Sequence, residues 1–238
     1  AEVKTYFQQS LEAFQADGQS VMRGIPAMRL GELLYEEHDY AGAQRYFHDS
    51  VSIFEELSDP ARTGFVYLYL GKLAMAQGNL TEAAAYLARS LALAAKAGHM
   101  YDRAMVIDLM GRLAQHQGDY ARAWALHQES LSIWVETGQE RLVCIALESL
   151  ACLAARRKEA ERAALLFGAA ATAFTLLPMQ NTVRMAALDP VFQADHERLV
   201  TKVRTALGET AFAAAWAKGA VMTVDQAIGY ALDAMPAA

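Results

Sequence analysis

Proline is scarce in this chain, five residues in 238, and glycine supplies only 15. Alanine is abundant. Few helix breakers and many of the best helix formers favour helix nearly throughout and argue against a β-sandwich. Two cysteines cannot build a disulfide framework or, by themselves, a four-ligand zinc site, and they suit a reducing cytoplasm. Positive charge is also short. Lys and Arg total 21 against 27 Asp and Glu, a net charge of -6. Nucleic-acid affinity rests on clustered basic residues, so this segment is not expected to contact nucleic acid. The longest weakly charged stretch, residues 163–179, falls short of the ~20 residues a membrane span needs. It reads as a buried helix, and no membrane association is expected. Ala1-Glu2-Val3-Lys4 does not read as a secretory leader. What is plentiful is apolar surface: hydrophobic residues are 54% and charged residues 20%. That excludes disorder, and the length permits one large domain or two small ones.

The apolar residues are arranged in an internal repeat. Leu30-Gly31, Leu70-Gly71, Met110-Gly111 and Leu150-Ala151 are spaced by forty each time. The same step links Ala43, Ala83, Ala123 and Ala163, and then Phe47, Leu87, His127 and Phe167. Ser50, Ser90 and Ser130 follow, with Ala170 in the fourth copy. Each copy has helical periodicity on both sides of a polar break. In copy one the expected helices are 22–37 and 41–57. Gln77-Gly78-Asn79 and Gln117-Gly118-Asp119 supply a glycine for the left-handed end of one helix and an Asn or Asp cap for the next. Asp59-Pro60 is a further start signal. A helix pair cannot bury its apolar face alone. Stacked pairs can, which gives a right-handed superhelix of helical hairpins. The small residues at 31, 71, 111 and 151, and the alanines at 43, 83, 123 and 163, are expected where paired helices cross.

The pattern resembles the tetratricopeptide repeat. Tyr67-x2-Leu70-Gly71-x2-Ala74 and Ala43-x3-Phe47 carry the resemblance. The period is six residues longer than that family's usual 34, and the family's late proline is replaced by Glu55, Ala95, Val135 and Thr175. The expectation is an all-α, tetratricopeptide-like α-solenoid over residues 1–177: a partial repeat at 1–19, then four repeats of about forty. Phe7 and Ser10 match Phe47 and Ser50. The chain therefore starts inside a second helix, and further repeats are expected upstream. The exposed half-repeat offers a surface for self-association.

After Thr175 the period stops. Residues 176–188, with Pro178, read as a linker. Asp189-Pro190 opens a helix ending at Gly208, a second helix covers 209–218, and Thr223-Val224-Asp225-Gln226 is a capping box for a third. These helices, within 178–238, are expected to cap the solenoid. Glu161-Arg162-Ala163-Ala164-x-Leu166-Phe167-Gly168-Ala169-Ala170, Leu207-Gly208-Glu209-x2-Phe212-x2-Ala215-Trp216-x2-Gly219 and Thr223-x2-Gln226-Ala227 together resemble a recurrent bacterial C-terminus. It belongs to large transcriptional regulators of the LuxR-, MalT- and SARP-like kinds and to related cyclase-linked proteins. The resemblance implies a repeat arm following a STAND-type ATPase and an effector domain. ATP would then belong to an upstream module only.

This segment shows no catalytic pattern. Gly71-Lys72 lies inside a helix without the preceding glycine of a phosphate loop. No G-x-S-x-G or H-E-x-x-H is present. No enzyme activity, cofactor or metal is expected. His127 stands at a core position, Cys144 and Cys152 read as buried structural thiols, and Trp124, Trp134 and Trp216 read as packing residues.

In a solenoid of this kind the first helix of each pair lines a groove. Counting in register places Met28, Arg29, Glu32, Tyr35 and Glu36 there in copy one, and Leu68, Tyr69, Lys72 and Met75 in copy two. Copy three contributes Asp108, Arg112, Gln115 and His116, and copy four Glu148, Ser149, Cys152 and Arg156. Mixed charge with aromatics suits a peptide, a protein segment or a small organic effector. The same residues also fit a solvated face whose ion pairs contribute ~0–1 kcal/mol each. The chaperone-binding subclass clamps a carboxylate with groove Asn and Lys. The ladder Glu32, Lys72, Arg112, Cys152 has no Asn and departs from it.

Overall fold

The computed structural model describes residues 2–16, 20–176 and 190–233. Among these the regular structure is all helical, with no strand. The helices are α1 (Glu2–Ala16), α2 (Gly24–Glu36), α3 (Tyr40–Glu56), α4 (Pro60–Ala76), α5 (Leu80–Ala97), α6 (Met100–Gln117), α7 (Tyr120–Glu136), α8 (Glu140–Arg156), α9 (Ala160–Leu176), α10 (Pro190–Leu207), α11 (Glu209–Ala220) and α12 (Val224–Leu232). The architecture is that of an α-solenoid built from helical hairpins. Copy one begins with a 3-10 turn, Ser20–Arg23, so its first helix starts at Gly24, two residues later than the periodicity suggested. The linker expected at 176–188 lies, after Leu176, outside the described residues.

The forty-residue sequence period is two structural steps of twenty. His38, Ser58, Gly78, Gly98, Gly118, Gly138 and Lys158 all have positive φ. At each, the chain leaves one helix through the same pair of backbone bonds. His38 N–H donates to the Tyr35 carbonyl, and Asp39 N–H reaches back to Leu34. The pair recurs at Ser58 and Asp59, and on through Lys158 and Glu159. This is the Schellman ending, which satisfies the last carbonyls of a helix. Where the next residue is Asp39, Asp59 or Asp119, its side chain caps the following helix, accepting from Gly42 N–H at 3.0 Å, Arg62 at 2.9 Å and Arg122 at 3.1 Å; Asn79, expected from the sequence to cap, makes no side-chain capping bond. One residue ends a helix and its neighbour starts the next, so the helices pack as tight antiparallel pairs.

The chain divides into two compact units, Ala1–Leu109 and Met110–Ala238, and α6 runs from one into the other. In the first unit the two helices of each hairpin, α2–α3 and α4–α5, meet through glycine. A Cβ on Gly31 would stand 2.5 Å from the Phe47 ring, and one on Gly71 would stand 2.6 Å from Leu87. Ala43 and Ala83 are fully buried. Ser50 donates to the Gly24 carbonyl at 2.8 Å, and forty residues on Ser90 donates to Gly64 at 2.7 Å.

In the second unit Gly111 lies against the His127 ring as Gly31 does against Phe47. Helix α9 packs against α8, α10, α11 and α12. Its crossing with α11 is made by two glycines. A Cβ on Gly168 would fall 2.2 Å from the Trp216 carbonyl oxygen, and one on Gly219 would fall 1.9 Å from that of Leu165. The capping box that opens α12 is complete in both directions.

Candidate functional site

In the first unit the candidate residues lie on α2 and α4, the first helices of successive hairpins, with Asp108 on α6. Arg29 Nη1 donates to Glu32 Oε2 at 2.7 Å, one turn along α2. The Glu32 side chain is only 14% exposed. Burial pushes its carboxyl above the usual range, opposed by Arg29, Lys72 and a hydrogen bond with Tyr69. Lys72 Nζ stands 5.3 Å over the Tyr69 ring, which holds its charge beside the two carboxylates. Glu36 is exposed, and its carboxyl is also pushed up, by partial burial and by Glu32, with Lys72 opposing. Tyr69 stacks on Phe47 at 5.4 Å and meets Phe65 edge-on at 5.3 Å. The charged strip therefore rests on the core and is not a loose surface. Met75 is half-buried beside it. Met28, Tyr35, Leu68 and Asp108 are buried, with Tyr35 packed on Tyr40. The exposed part of the strip is Arg29 and Glu36, with Glu32, Tyr69, Lys72 and Met75 between them and the core.

In the second unit the corresponding positions meet α10. Arg156 Nη2 donates to Asp195 Oδ2 at 2.5 Å, and Arg198 Nη2 donates to Asp195 Oδ1 at 2.5 Å. Burial raises the Asp195 carboxyl, but the Arg198 hydrogen bond and the Arg156 charge outweigh it and hold it below the usual range. His196 Nδ1 lies 3.2 Å from Glu148 Oε1, and the His196 ring meets Phe167 edge-on at 5.0 Å. Leu199 and Val203 of α10 are buried. The chain's own helix thus engages Glu148 and Arg156. Burial, reinforced by Arg156, Arg198 and Arg112, keeps His116 below its ordinary value, with Asp195 opposing. Arg112 is half-buried.

Gln115 turns inward. Its Nε2 lies 2.6 Å from His127 Nε2 and donates to the Ser149 carbonyl at 3.2 Å. His127 fills the position that Phe47 holds in copy one, and its buried nitrogen needs this partner. Ser149 and Cys152 are buried. Burial pushes the Cys152 thiol far up, and it pushes Cys144 up to about 12, with Glu148 adding to both. Both are free thiols buried in the helix packing. Among the described residues no group of three or more His, Cys, Asp or Glu could hold a metal ion, and no helix is long and apolar enough to cross a membrane.

Asp195 and His196 were not visible as partners of the α8 positions in the sequence, because α10 lies outside the period. Arg162 was also missed. Its Nη2 donates to the carbonyls of Tyr230 at 3.1 Å and Asp233 at 3.3 Å.

Residues 23–96 match the family model for the tetratricopeptide repeat, so this part of the chain is similar to tetratricopeptide repeats. The fold is similar to that of a solved structure titled "Crystal structure of BtubC (BKLC) from P. vanneervenii". The TM-score is 0.62 at 18% identity, over 100% of this chain and 94% of that one. At that identity the likeness shows the fold alone. No curated protein matches the chain.

Proposed function

We propose that this chain is a non-catalytic interaction domain that holds a peptide or protein segment on the α2–α4 face of its first unit. The observation that carries the reading is the strip of Arg29, Glu32, Glu36, Tyr69 and Lys72. It sets both signs of charge and an anchored aromatic on two neighbouring helices. Such a strip gives a chain segment apolar area from Tyr69 and Met75 and fixes its register through charge. A segment in the second unit would have to compete with α10 for Glu148 and Arg156.

The finer reading is the C-terminal sensor arm of a bacterial STAND-type transcriptional regulator, in which binding shifts a population between closed and active states. Its support is the tail sequence from Glu161 to Ala227. A free-standing repeat adaptor or peptide receptor is the second reading, supported by the repeat match.

Two experiments test these readings. A peptide selected from a random display library against the chain should bind saturably. Lys72→Gln or Arg29→Gln should weaken it about tenfold with the chain still folded at the assay temperature. Unchanged affinity in both variants would remove the ligand from this face. Sequencing the coding DNA upstream of Ala1 addresses the regulator reading. A Gly-x4-Gly-Lys-Ser/Thr motif with a helix-turn-helix supports it, and a start codon one helix upstream supports the adaptor.

A further inference from the structure

We infer that the second unit carries a separate pocket for a small apolar molecule bearing an ammonium group. The pocket has a volume of ≈ 310 Å³ and lies where the end of α7, the start of α8, α9 and the start of α12 meet. Its floor is apolar. Trp134, Val143, Cys144 and Ala173 all line it and are all buried. The space exists because Cys144 and Ala173 are small and the turn between α7 and α8 passes through Gly138, which has positive φ and no side chain. The Cys144 thiol stays protonated, so the floor is neutral.

The mouth is different. Glu140 and Asp225 both line the pocket and are both exposed, and no basic residue lines it. Among the described residues no ion pair engages either carboxylate. Each sits in the first turn of a helix, Glu140 in α8 and Asp225 in α12. There it complements the helix dipole. That role accounts for each acid singly, but not for two of them converging on one apolar opening. Val135 and Val224, 46% and 36% exposed, flank the same opening. An apolar tail would cover them as it entered. The volume accommodates about ten water-sized groups. The matching ligand is therefore a primary amine on an apolar body of that size, with its tail on the floor and its ammonium between the two carboxylates. An anionic amphiphile of the same shape would meet like charge at the mouth. The pocket is formed by residues other than those of the α2–α4 face, so the two sites stand or fall separately.

The test uses octylammonium, octanol and octanoate as isosteric probes, titrated into the whole chain by calorimetry at pH 7. Octylammonium should saturate at one per chain, octanol should bind about tenfold more weakly and octanoate should not bind. The surface double variant Glu140→Gln/Asp225→Asn should bring octylammonium to the level of octanol. Ala173→Phe, which fills the floor, should abolish binding of both. If Ala173→Phe melts early, the double variant decides alone. Failure of octylammonium to saturate, octanoate binding as tightly as octylammonium, or full octylammonium affinity in the double variant would overturn the proposal.

Discussion

Arg162 on α9 closes the C-terminal end of α12 through Tyr230: its guanidinium donates to the Tyr230 carbonyl at 3.1 Å and stands 5.1 Å over the Tyr230 ring. The same guanidinium stands 5.1 Å over Trp124 and reaches the Asp233 carbonyl. Gln128 adds a bond to the Leu232 carbonyl at 3.1 Å. Nine residues are too few for a helix to persist by itself in water. The N-terminal end of α12 has its own capping box, so the free carbonyls at the other end are what Arg162 supplies with donors. Arg162→Met is expected to cost about 2 kcal/mol, from lost charged hydrogen bonds and cation–π contact. Amides in α12 should exchange faster, while those of α8 keep their protection. Wild-type exchange in α12 of the variant would show that other contacts hold the helix.

Gly168 and Gly219 form a reciprocal seam between α9 and α11. In both cases the obstacle to a Cβ is a backbone carbonyl, at 2.2 Å and 1.9 Å. A side chain can rotate away, but a helical backbone cannot without moving the whole helix. Gly219→Ala is therefore expected to destabilise by about 3 kcal/mol, the upper end of overpacking costs, and Gly168→Ala nearly as much. Thermal melts measure the loss, and the emission of Trp216, whose backbone lies on the seam, should shift to the red. Gly229→Ala is the control, because a Cβ there meets nothing within 4 Å. Equal melting of all three variants would dissolve the seam.

Three of the seven left-handed turn positions are not glycine: His38, Ser58 and Lys158, at φ 61, 53 and 68. A Cβ in that conformation costs ~1–2 kcal/mol, and glycine returns part of the gain through its freer unfolded chain. Ser58→Gly and Lys158→Gly are each expected to stabilise by about 0.5 kcal/mol. His38→Gly should gain less, since the His38 ring lies 3.0 Å from the Tyr40 hydroxyl and that contact would go. The sites are far apart, so the gains should add. A triple variant that melts below the wild type would show that these side chains hold their turns by contacts and not at a cost.

These turns also explain what the sequence displays and what it hides. The forty-residue step is legible because the same contact recurs at each hairpin: a glycine at 31, 71 or 111 against Phe47, Leu87 or His127. The twenty-residue step is hidden, because first and second helices carry different core residues and the turn glycine is replaced at 38, 58 and 158. The tail helices were legible from Pro190, Gly208 and the capping box at Thr223, since those signals are local. The cover of α10 on α8 was not. Arg156 and Asp195 are 39 residues apart outside any period, and nothing local marks their pairing. The tail motif around Gly168 and Gly219 stood out in the sequence, and its physical content is the α9–α11 seam, a packing requirement.

Two half-buried carboxyls make opposite predictions about pH. Asp195 is held below the usual range by Arg198 and Arg156 despite its burial. The folded chain therefore binds that proton less readily than the unfolded chain. Its stabilising contribution is complete above the ordinary carboxylate value, near ~3.9, and is lost as pH falls through the lower folded value. Glu32 is held above the usual range, chiefly by burial. The folded chain binds that proton more readily, so ionised Glu32 is a penalty at neutral pH that lifts as pH falls through its raised value. Asp195→Asn should therefore lower the melting temperature at pH 7, and the deficit should shrink only below the ordinary carboxylate range. Glu32→Gln, compared with wild type, should be at its most favourable at pH 7 and should converge on wild type as the solution is acidified. Melts of the three proteins from pH 7 to pH 3 decide the matter. If the Glu32→Gln difference moved in the same direction as that of Asp195→Asn, the Arg29 pair would outweigh burial at Glu32. The α2–α4 strip would then hold a stabilising ion pair where the geometry gives a carboxylate kept charged at a cost, and a ligand cation would have less to gain by approaching it.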